Sequence, residues 1–283
     1  MFSDVLLTVD FDRTLTGPDA QIPQRNLDAI QYFMDNGGKF TVNTGRSAAT
    51  FWMHLDTLPR NAPLLLYNGS AAYDDGKLIN CVPFDLDVET VMQTMIHLFP
   101  DMNLEIQGTK VHYLVNATKE MEALYKNLRW RYTRQPYDEP PENFIKFALF
   151  GQPRRPEVAT FYEAQDATEE ELRRFDEAEQ TLSRLYGDKI AIFRAGRRII
   201  DVHAKGVSKC AAARNLQKQL GRKYLVCVGD AENDIAMLDG ADYAFCPSDG
   251  ILADRYPTVC PCGEGAVADV IYKEIPKILG IQP

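Results

Sequence analysis

Apolar residues in this chain come in short blocks that stop abruptly at polar ones. Leu6-Leu7-Thr8-Val9 runs into Asp10-Phe11-Asp12-Arg13-Thr14-Leu15, and far along the chain Leu225-Val226-Cys227-Val228 runs into Gly229-Asp230-Ala231-Glu232-Asn233-Asp234. A short apolar run bounded by polar residues reads as a strand buried on both faces, as in parallel sheets. Between these blocks the first third alternates strand and helix. Pro23 opens a helix, Leu27, Ile30, Phe33 and Met34 recur at helical spacing, and Gly37-Gly38 ends it. Lys39 to Asn43 reads as a strand ending at Thr44-Gly45-Arg46, with a helix from about Ser47. Leu64 to Tyr67 is a third strand, ending at Asn68-Gly69, and Asp75-Gly76 marks a hairpin turn.

The pattern changes near Pro83. A helix carrying Val88, Val91, Met92 and Met95 leads into strands over Asn103 to Gln107 and Lys110 to Val115, and then a helix from about Lys119 to Trp130. Gln135 to Asn143, with three prolines, reads as a loop; Phe144 to Phe150 alternates like a strand; Gln152 to Pro156 is a polar break. Thr168-Glu169-Glu170-Glu171 opens a charged helix to about Tyr186, its acids suited to the positive helix end. Lys189 to Arg194 and Arg197 to His203 form a second hairpin. From Val207 the alternation returns: a helix to about Leu220, strands over Tyr224 to Val228 and Asp242 to Cys246, a helix from Asn233, and a last helix from about Gly265 to Leu279. The predicted fold class is α/β, a doubly wound parallel-sheet core over residues 1–82 and 205–283, interrupted by an α+β module over 83–204.

In open α/β sheets, ligands bind outside the carboxyl ends of the strands. Two strands that both deliver acids there bring four carboxylates close together. Like charges at that range do not all stay ionised without a cation, and a hard divalent ion with oxygen ligands, Mg2+, suits them best.

The 283 residues, 45% hydrophobic, suffice for one large domain or two smaller ones. A net charge of -9 and a pI near 5.0 argue against broad binding to nucleic acid or anionic membrane. They do not exclude a phosphorylated substrate, because a bound metal and local cations set the field at a site. No stretch approaches the roughly 18 apolar residues a membrane span needs. Met1-Phe2-Ser3-Asp4 lacks the signature of a secretory signal, and the spacing of the six cysteines matches neither a disulfide framework nor a zinc site. The expectation is a cytoplasmic protein with reduced thiols.

Taken together and in order, Asp10-Phe11-Asp12-Arg13-Thr14-Leu15, Thr44, Lys209 within Lys205-Gly206-Val207-Ser208-Lys209, and Gly229 to Asp234 resemble the four motifs of haloacid dehalogenase superfamily phosphatases. Asn68-Gly69 before a hairpin, and an insert between the second and third motifs, resemble the Cof-like subfamily IIB. Two positions depart from the family pattern: Arg13 stands where glycine is usual, and so does Cys210.

The resemblance implies a Rossmann-like core with a cap of the C2B type. It also implies roles. Asp10 is the nucleophile that forms an aspartyl-phosphate, and Asp12 is the general acid and base. The metal is held by Asp10, the backbone carbonyl of Asp12, and Asp230, with Asp234 on the same ion or its waters. Thr44 and Lys209 hold phosphoryl oxygens, and Gly45 supplies a backbone donor. Asn233 orients Lys209 or the phosphate, and Arg46 is either a surface residue or a substrate contact. Specificity is expected in the insert, where His112, Tyr113, Trp130, Arg131 and His203 are candidate contacts or packing residues.

The expected activity is Mg2+-dependent hydrolysis of a small phosphorylated metabolite, with sugar phosphates favoured. The alternatives are a sugar phosphomutase and a non-catalytic, metal-dependent binding protein. No nucleic-acid or membrane partner is expected, and oligomeric state is left open.

Overall fold

Val5–Val9 lies second from one edge of a five-stranded sheet in the computed structural model, which describes residues 1–54, 58–134, 144–151 and 167–281. The strand order is Thr258–Val259, Tyr243–Pro247, Tyr224–Val228, Val5–Val9, Lys39–Val42, and every pairing is parallel. All five residues of Val5–Val9 are buried, as a strand covered on both faces must be. Register then decides what meets at the strand ends. Val9 is paired with Val228 on one side and Val42 on the other, so Asp10, Gly229-Asp230 and Asn43-Thr44 leave the sheet at one level.

By Cα packing the chain divides into one unit of Met1–Gly45, His54–Asn80 and Ser208–Pro283, and a second of Arg46–Met53 and Cys81–Val207. In the first, helices Gln24–Asp35 and Lys209–Gln219 flank the sheet. A three-stranded sheet of Leu64–Leu66, Ala71–Asp74 and Lys77–Cys81 contains the hairpin read from Asp75-Gly76. The helix expected from Asn233 is reduced to a turn, Glu232–Asp234, and a short helix, Ile235–Asp239. The last helix is present as Ala266–Asp269, Val270–Glu274 and Ile275–Ile278, with a wider turn in the middle stretch. Pro276 has no amide to bond the Tyr272 carbonyl and its ring crowds that oxygen, which favours the local widening.

The second unit holds a six-stranded sheet in the order Ile190–Gly196, Ile199–Ala204, Phe144–Phe150, Asn103–Gly108, His112–Leu114, Tyr132–Arg134. Its two faces differ sharply. One carries Leu104, Ile106, Phe147, Leu149, Ile200 and Val202, packed on helices Val88–Leu98 and Glu169–Tyr186 through Met92, Met95, Phe175 and Leu182. Thr168 caps the longer helix, accepting from the Glu171 amide while Glu171 reaches back to the Thr168 amide.

The opposite face bears buried polar residues: Glu105, Gln107, His112, Lys146, Asp201 and His203. Lys146 pairs with Asp201 at 2.7 Å. His112 sits 2.5 Å from Ser47 Oγ and 3.2 Å from Tyr125 Oη. Burial, with Lys146 beside it, holds His203 well below the ordinary histidine range. Segment Arg46–Met53 belongs with this unit because Trp52 Nε1 donates to the Arg129 carbonyl at 3.0 Å and the Arg131 amide donates to the Ala49 carbonyl at 3.3 Å. Strand Tyr132–Arg134 went unread in the sequence: three residues, Tyr-Thr-Arg, are too few to show alternation. The expected loop over Gln135 to Asn143 and the break over Gln152 to Pro156 lie outside the described residues.

Candidate active site

Asp10 follows directly on its strand, its amide donating to the Val228 carbonyl at 2.9 Å. The chain then makes a wide turn over Phe11–Leu15, closed by the Leu15 amide on the Asp10 carbonyl at 3.2 Å and the Thr16 amide on the Phe11 carbonyl at 3.0 Å. This turn keeps Asp10 at the sheet edge and leaves Asp12 half-buried beside it. Helix Lys209–Gln219, capped by Ser208, brings in Lys209, whose side chain is almost wholly enclosed. Its ammonium donates to Asp10 Oδ1 at 2.5 Å and to Asp234 Oδ1 at 2.7 Å.

Carboxylate oxygens of Asp10, Asp230 and Asp234 all lie within 4.8 Å of one another. Three buried acids around one lysine leave an excess of negative charge. Burial first, and then Asp234, Asp230 and Asp12, push the Asp10 carboxyl well up against the opposing pull of Lys209. Burial and Asp234 raise Asp230 to about 7, although Thr14, Lys209 and Arg13 act the other way. Burial alone would lower Lys209, but Asp10 and Asp234 outweigh it and keep the ammonium charged.

The remaining hydrogen bonds separate the acids by task. Asp234 uses both oxygens: Oδ1 takes Lys209, and Oδ2 takes the Asp230 and Ala231 amides at 3.1 and 3.2 Å. Asp10 and Asp230 each have one oxygen committed, to Lys209 and to Thr14 Oγ1 respectively. Their second oxygens accept nothing from the described residues. Asp10, Asp230 and Asp234 together form an all-oxygen donor set that could hold a hard divalent cation. Asp234 holds Lys209 and the loop in place.

Thr44 is buried at the end of its strand, its amide on the Leu65 carbonyl and its carbonyl on the Asn68 amide, each at 2.9 Å. Gly45 follows, and a Cβ there would come within 2.9 Å of Asn68 Oδ1. Asn233 is half-buried and makes no hydrogen bond to Lys209; the group that orients the lysine is Asp234. Arg46 begins the segment that packs with the second unit.

Three residues without an assigned role in the sequence reading prove to support the cluster. Thr14, fully buried, donates to Asp230 Oδ1 at 2.8 Å. Asn43 Nδ2 donates to the Lys209 carbonyl at 2.8 Å, tying the helix start to the strand end. Gly69, at φ +92, lets the backbone approach Ser208, whose carbonyl oxygen would lie 2.6 Å from a Cβ. A buried threonine after an acidic pair and an asparagine ending a strand are faint sequence signals for such parts.

Residues 7–251 match the family model of haloacid dehalogenase-like hydrolases. The chain belongs to that family. Among curated proteins, this hydrolase is 26% identical over 247 residues to mannosyl-3-phosphoglycerate phosphatase of Pyrococcus furiosus, covering 85% of this chain and 89% of the relative. It is 20% identical over 278 residues to an uncharacterised hydrolase of Schizosaccharomyces pombe, covering 94% and 89%.

Its fold is shared with solved structures. SMU.1108c from Streptococcus mutans superposes with a TM-score of 0.78 at 18% identity, covering 97% of this chain and 99% of the other. The subclass IIB sugar phosphatase BT4131 superposes at 0.72 with 18% identity, covering 98% and 99%. The expected family and the doubly wound core with an added cap are both borne out.

Proposed function

We propose that this hydrolase is a Mg2+-dependent phosphatase of small phosphorylated metabolites, sugar phosphates foremost, working through an aspartyl-phosphate on Asp10. The family assignment makes it a phosphoric monoester hydrolase. The observation that carries the finer reading is Asp10 at its strand end, 2.5 Å from the Lys209 ammonium and clustered with Asp230 and Asp234. Asp10 and Asp230 would hold the metal, which supplies charge neutralisation between nucleophile and phosphate.

The protein's own groups account for the rest. An Asp10 carboxylate oxygen attacks phosphorus, and the bond to the leaving oxygen breaks. Asp12 gives that oxygen its proton. Asp12, now ionised, then takes a proton from water, whose oxygen attacks the phosphorus of the acyl phosphate. Phosphate leaves and the Asp10 carboxylate is regenerated. Lys209 and Thr44 hold phosphoryl oxygens as a fixed charge and a hydroxyl donor. A relative named mannosyl-3-phosphoglycerate phosphatase supports a small phosphorylated substrate, and the sugar-phosphate preference is supported by the fold shared with a subclass IIB sugar phosphatase.

The test is phosphate release from a panel of sugar and nucleotide monophosphates, with Mg2+ and with EDTA, using the wild type and Asp10→Asn. Mg2+-dependent release that Asp10→Asn abolishes while remaining folded supports the proposal. A rearranged sugar phosphate without free phosphate points to a mutase. Metal-dependent binding without any reaction points to a sensor. Full activity in Asp10→Asn removes the covalent route.

A further inference from the structure

Ser47 is the first residue after the Thr44-Gly45-Arg46 stretch, and its hydroxyl does two things at once. Oγ accepts from the Thr50 amide at 3.1 Å, capping the single turn Ala48–Phe51, and lies 2.5 Å from His112 Nε2. Ser47 and His112 are each only 1% exposed. The other side of the imidazole decides how this contact is made. Glu105 Oε2 is buried, has no hydrogen-bond partner of its own, and lies 3.3 Å from His112 Nδ1. A carboxylate oxygen accepts, so the ring proton belongs on Nδ1, facing Glu105 and the Tyr125 hydroxyl at 3.2 Å. Nε2 is then the acceptor, and the Ser47 hydroxyl donates to it.

The ring has little room to swing away. Tyr125 and Trp130 meet it edge-on, at 5.7 and 6.5 Å between centroids. Two further ties hold the same segment: the Arg131 amide on the Ala49 carbonyl at 3.3 Å, and Trp52 Nε1 on the Arg129 carbonyl at 3.0 Å. The Arg131 guanidinium also lies 4.6 Å above the Trp52 ring. Upstream, Thr44 is fixed by its backbone on the Leu65 carbonyl and the Asn68 amide. Gly45 and Arg46 therefore span two fixed points, Thr44 at one end and Ser47 at the other. Two residues pinned at both ends keep few backbone conformations.

We propose that His112 is a positioning residue, which through Ser47 sets the Gly45 amide and the Thr44 hydroxyl in place for a phosphoryl oxygen. This rests on the phosphatase reading for the seat of the phosphate. The imidazole acts through the serine and not on the substrate. A directional bond suits this task better than an apolar contact, which tolerates sliding, because donors misplaced by about 1 Å can cost about 100-fold in rate.

The experiment titrates inorganic phosphate calorimetrically, with Mg2+ present, into wild type, His112→Asn, His112→Gln, Ser47→Ala and the Ser47→Ala/His112→Asn double variant. The asparagine amide stands near the place of Nδ1, so it keeps the Tyr125 side and loses Ser47. The longer glutamine reaches the place of Nε2 and keeps Ser47. Both remove ring volume, so both lower the thermal midpoint, and a merely structural role would stop there. Phosphate affinity should fall about tenfold in His112→Asn and in Ser47→Ala, and stay within about twofold of wild type in His112→Gln. The double variant should lose no more than either single one, because all three remove the same bond. Unchanged affinity in His112→Asn and Ser47→Ala, equal losses in His112→Asn and His112→Gln, additive losses in the double variant, or a wild type that binds no phosphate overturns the proposal. Should His112→Asn fail to fold, Ser47→Ala and His112→Gln carry the test. Turnover on the phosphate panel is a separate readout. If the wild type turns nothing over while its phosphate affinity depends on Ser47 and His112, the phosphatase reading falls and the positioning role stands.

Discussion

Asp230→Asn should make the metal-free protein more stable at pH 8, against the usual expectation for a change at a buried site. Asp230 is raised from its ordinary value of 3.8 to about 7, chiefly by burial and then by Asp234. A carboxyl raised on folding binds more protons in the native than in the unfolded state. Its contribution is thus fully present below about pH 4 and is lost as pH rises through 7. The step from 3.8 to about 7 corresponds to about 4 kcal/mol.

That figure is an upper bound on what the neutral isostere recovers at pH 8; about 2 kcal/mol is the working expectation, since effective interactions at buried sites are softened by relaxation. The asparagine oxygen can still accept from Thr14, so the local bond is kept. The assay is urea unfolding of wild type and variant at pH 5.5 and pH 8, in EDTA and in saturating Mg2+. In EDTA the variant gains stability relative to wild type as pH rises. In Mg2+ the order reverses at pH 8, because only the wild type retains the Asp230 carboxylate beside Asp10 for the cation. A variant that is no more stable than wild type in EDTA at pH 8, or that gains as much from Mg2+, would refute the account of a charge-crowded cation seat.

Two further substitutions probe the supports. Thr14→Val removes the hydroxyl that donates to Asp230 at 2.8 Å; it should weaken Mg2+ binding about 10-fold or more and cost about 1–3 kcal/mol in stability, read by calorimetric titration and urea unfolding. Gly69→Ala places a Cβ 2.6 Å from the Ser208 carbonyl oxygen at φ +92; the loop must shift, costing about 1–3 kcal/mol and lowering turnover with it, whereas an unchanged thermal midpoint would contradict the close approach.

Much of the candidate site was legible because its residues sit where hydrophobic runs stop. The blocks ending at Asp10 and at Asp230 are both strands, and the alternation around them gives a parallel sheet. The structure altered the division of labour. Asn233, expected to orient Lys209 or the phosphate, makes no hydrogen bond to the lysine, whereas Asp234, one residue on, does. The short edge strands Tyr132–Arg134 and Thr258–Val259 were invisible for lack of length.

The helical and strand-like periods, the acids at strand ends and the glycine-rich breaks are local properties, and the sequence alone determined them. They predicted the alternating core and the acids at its strand ends; the resemblance carried by the ordered motifs at Asp10 to Leu15, Thr44, Lys209 and Gly229 to Asp234 then nominated Asp10, Asp12, Lys209 and Asp230. Strand order, register and side-chain pairing are non-local. That Tyr224–Val228 lies beside Val5–Val9, with Val9 level with Val228, is decided only by how the sheet assembles. So is the commitment of both Asp234 oxygens, the bond from Thr14 across 216 residues of chain, and the left-handed backbone at Arg13. Each depends on packing between segments remote in sequence or on a dihedral angle that the residue type by itself disfavours, and neither leaves a periodic trace to read.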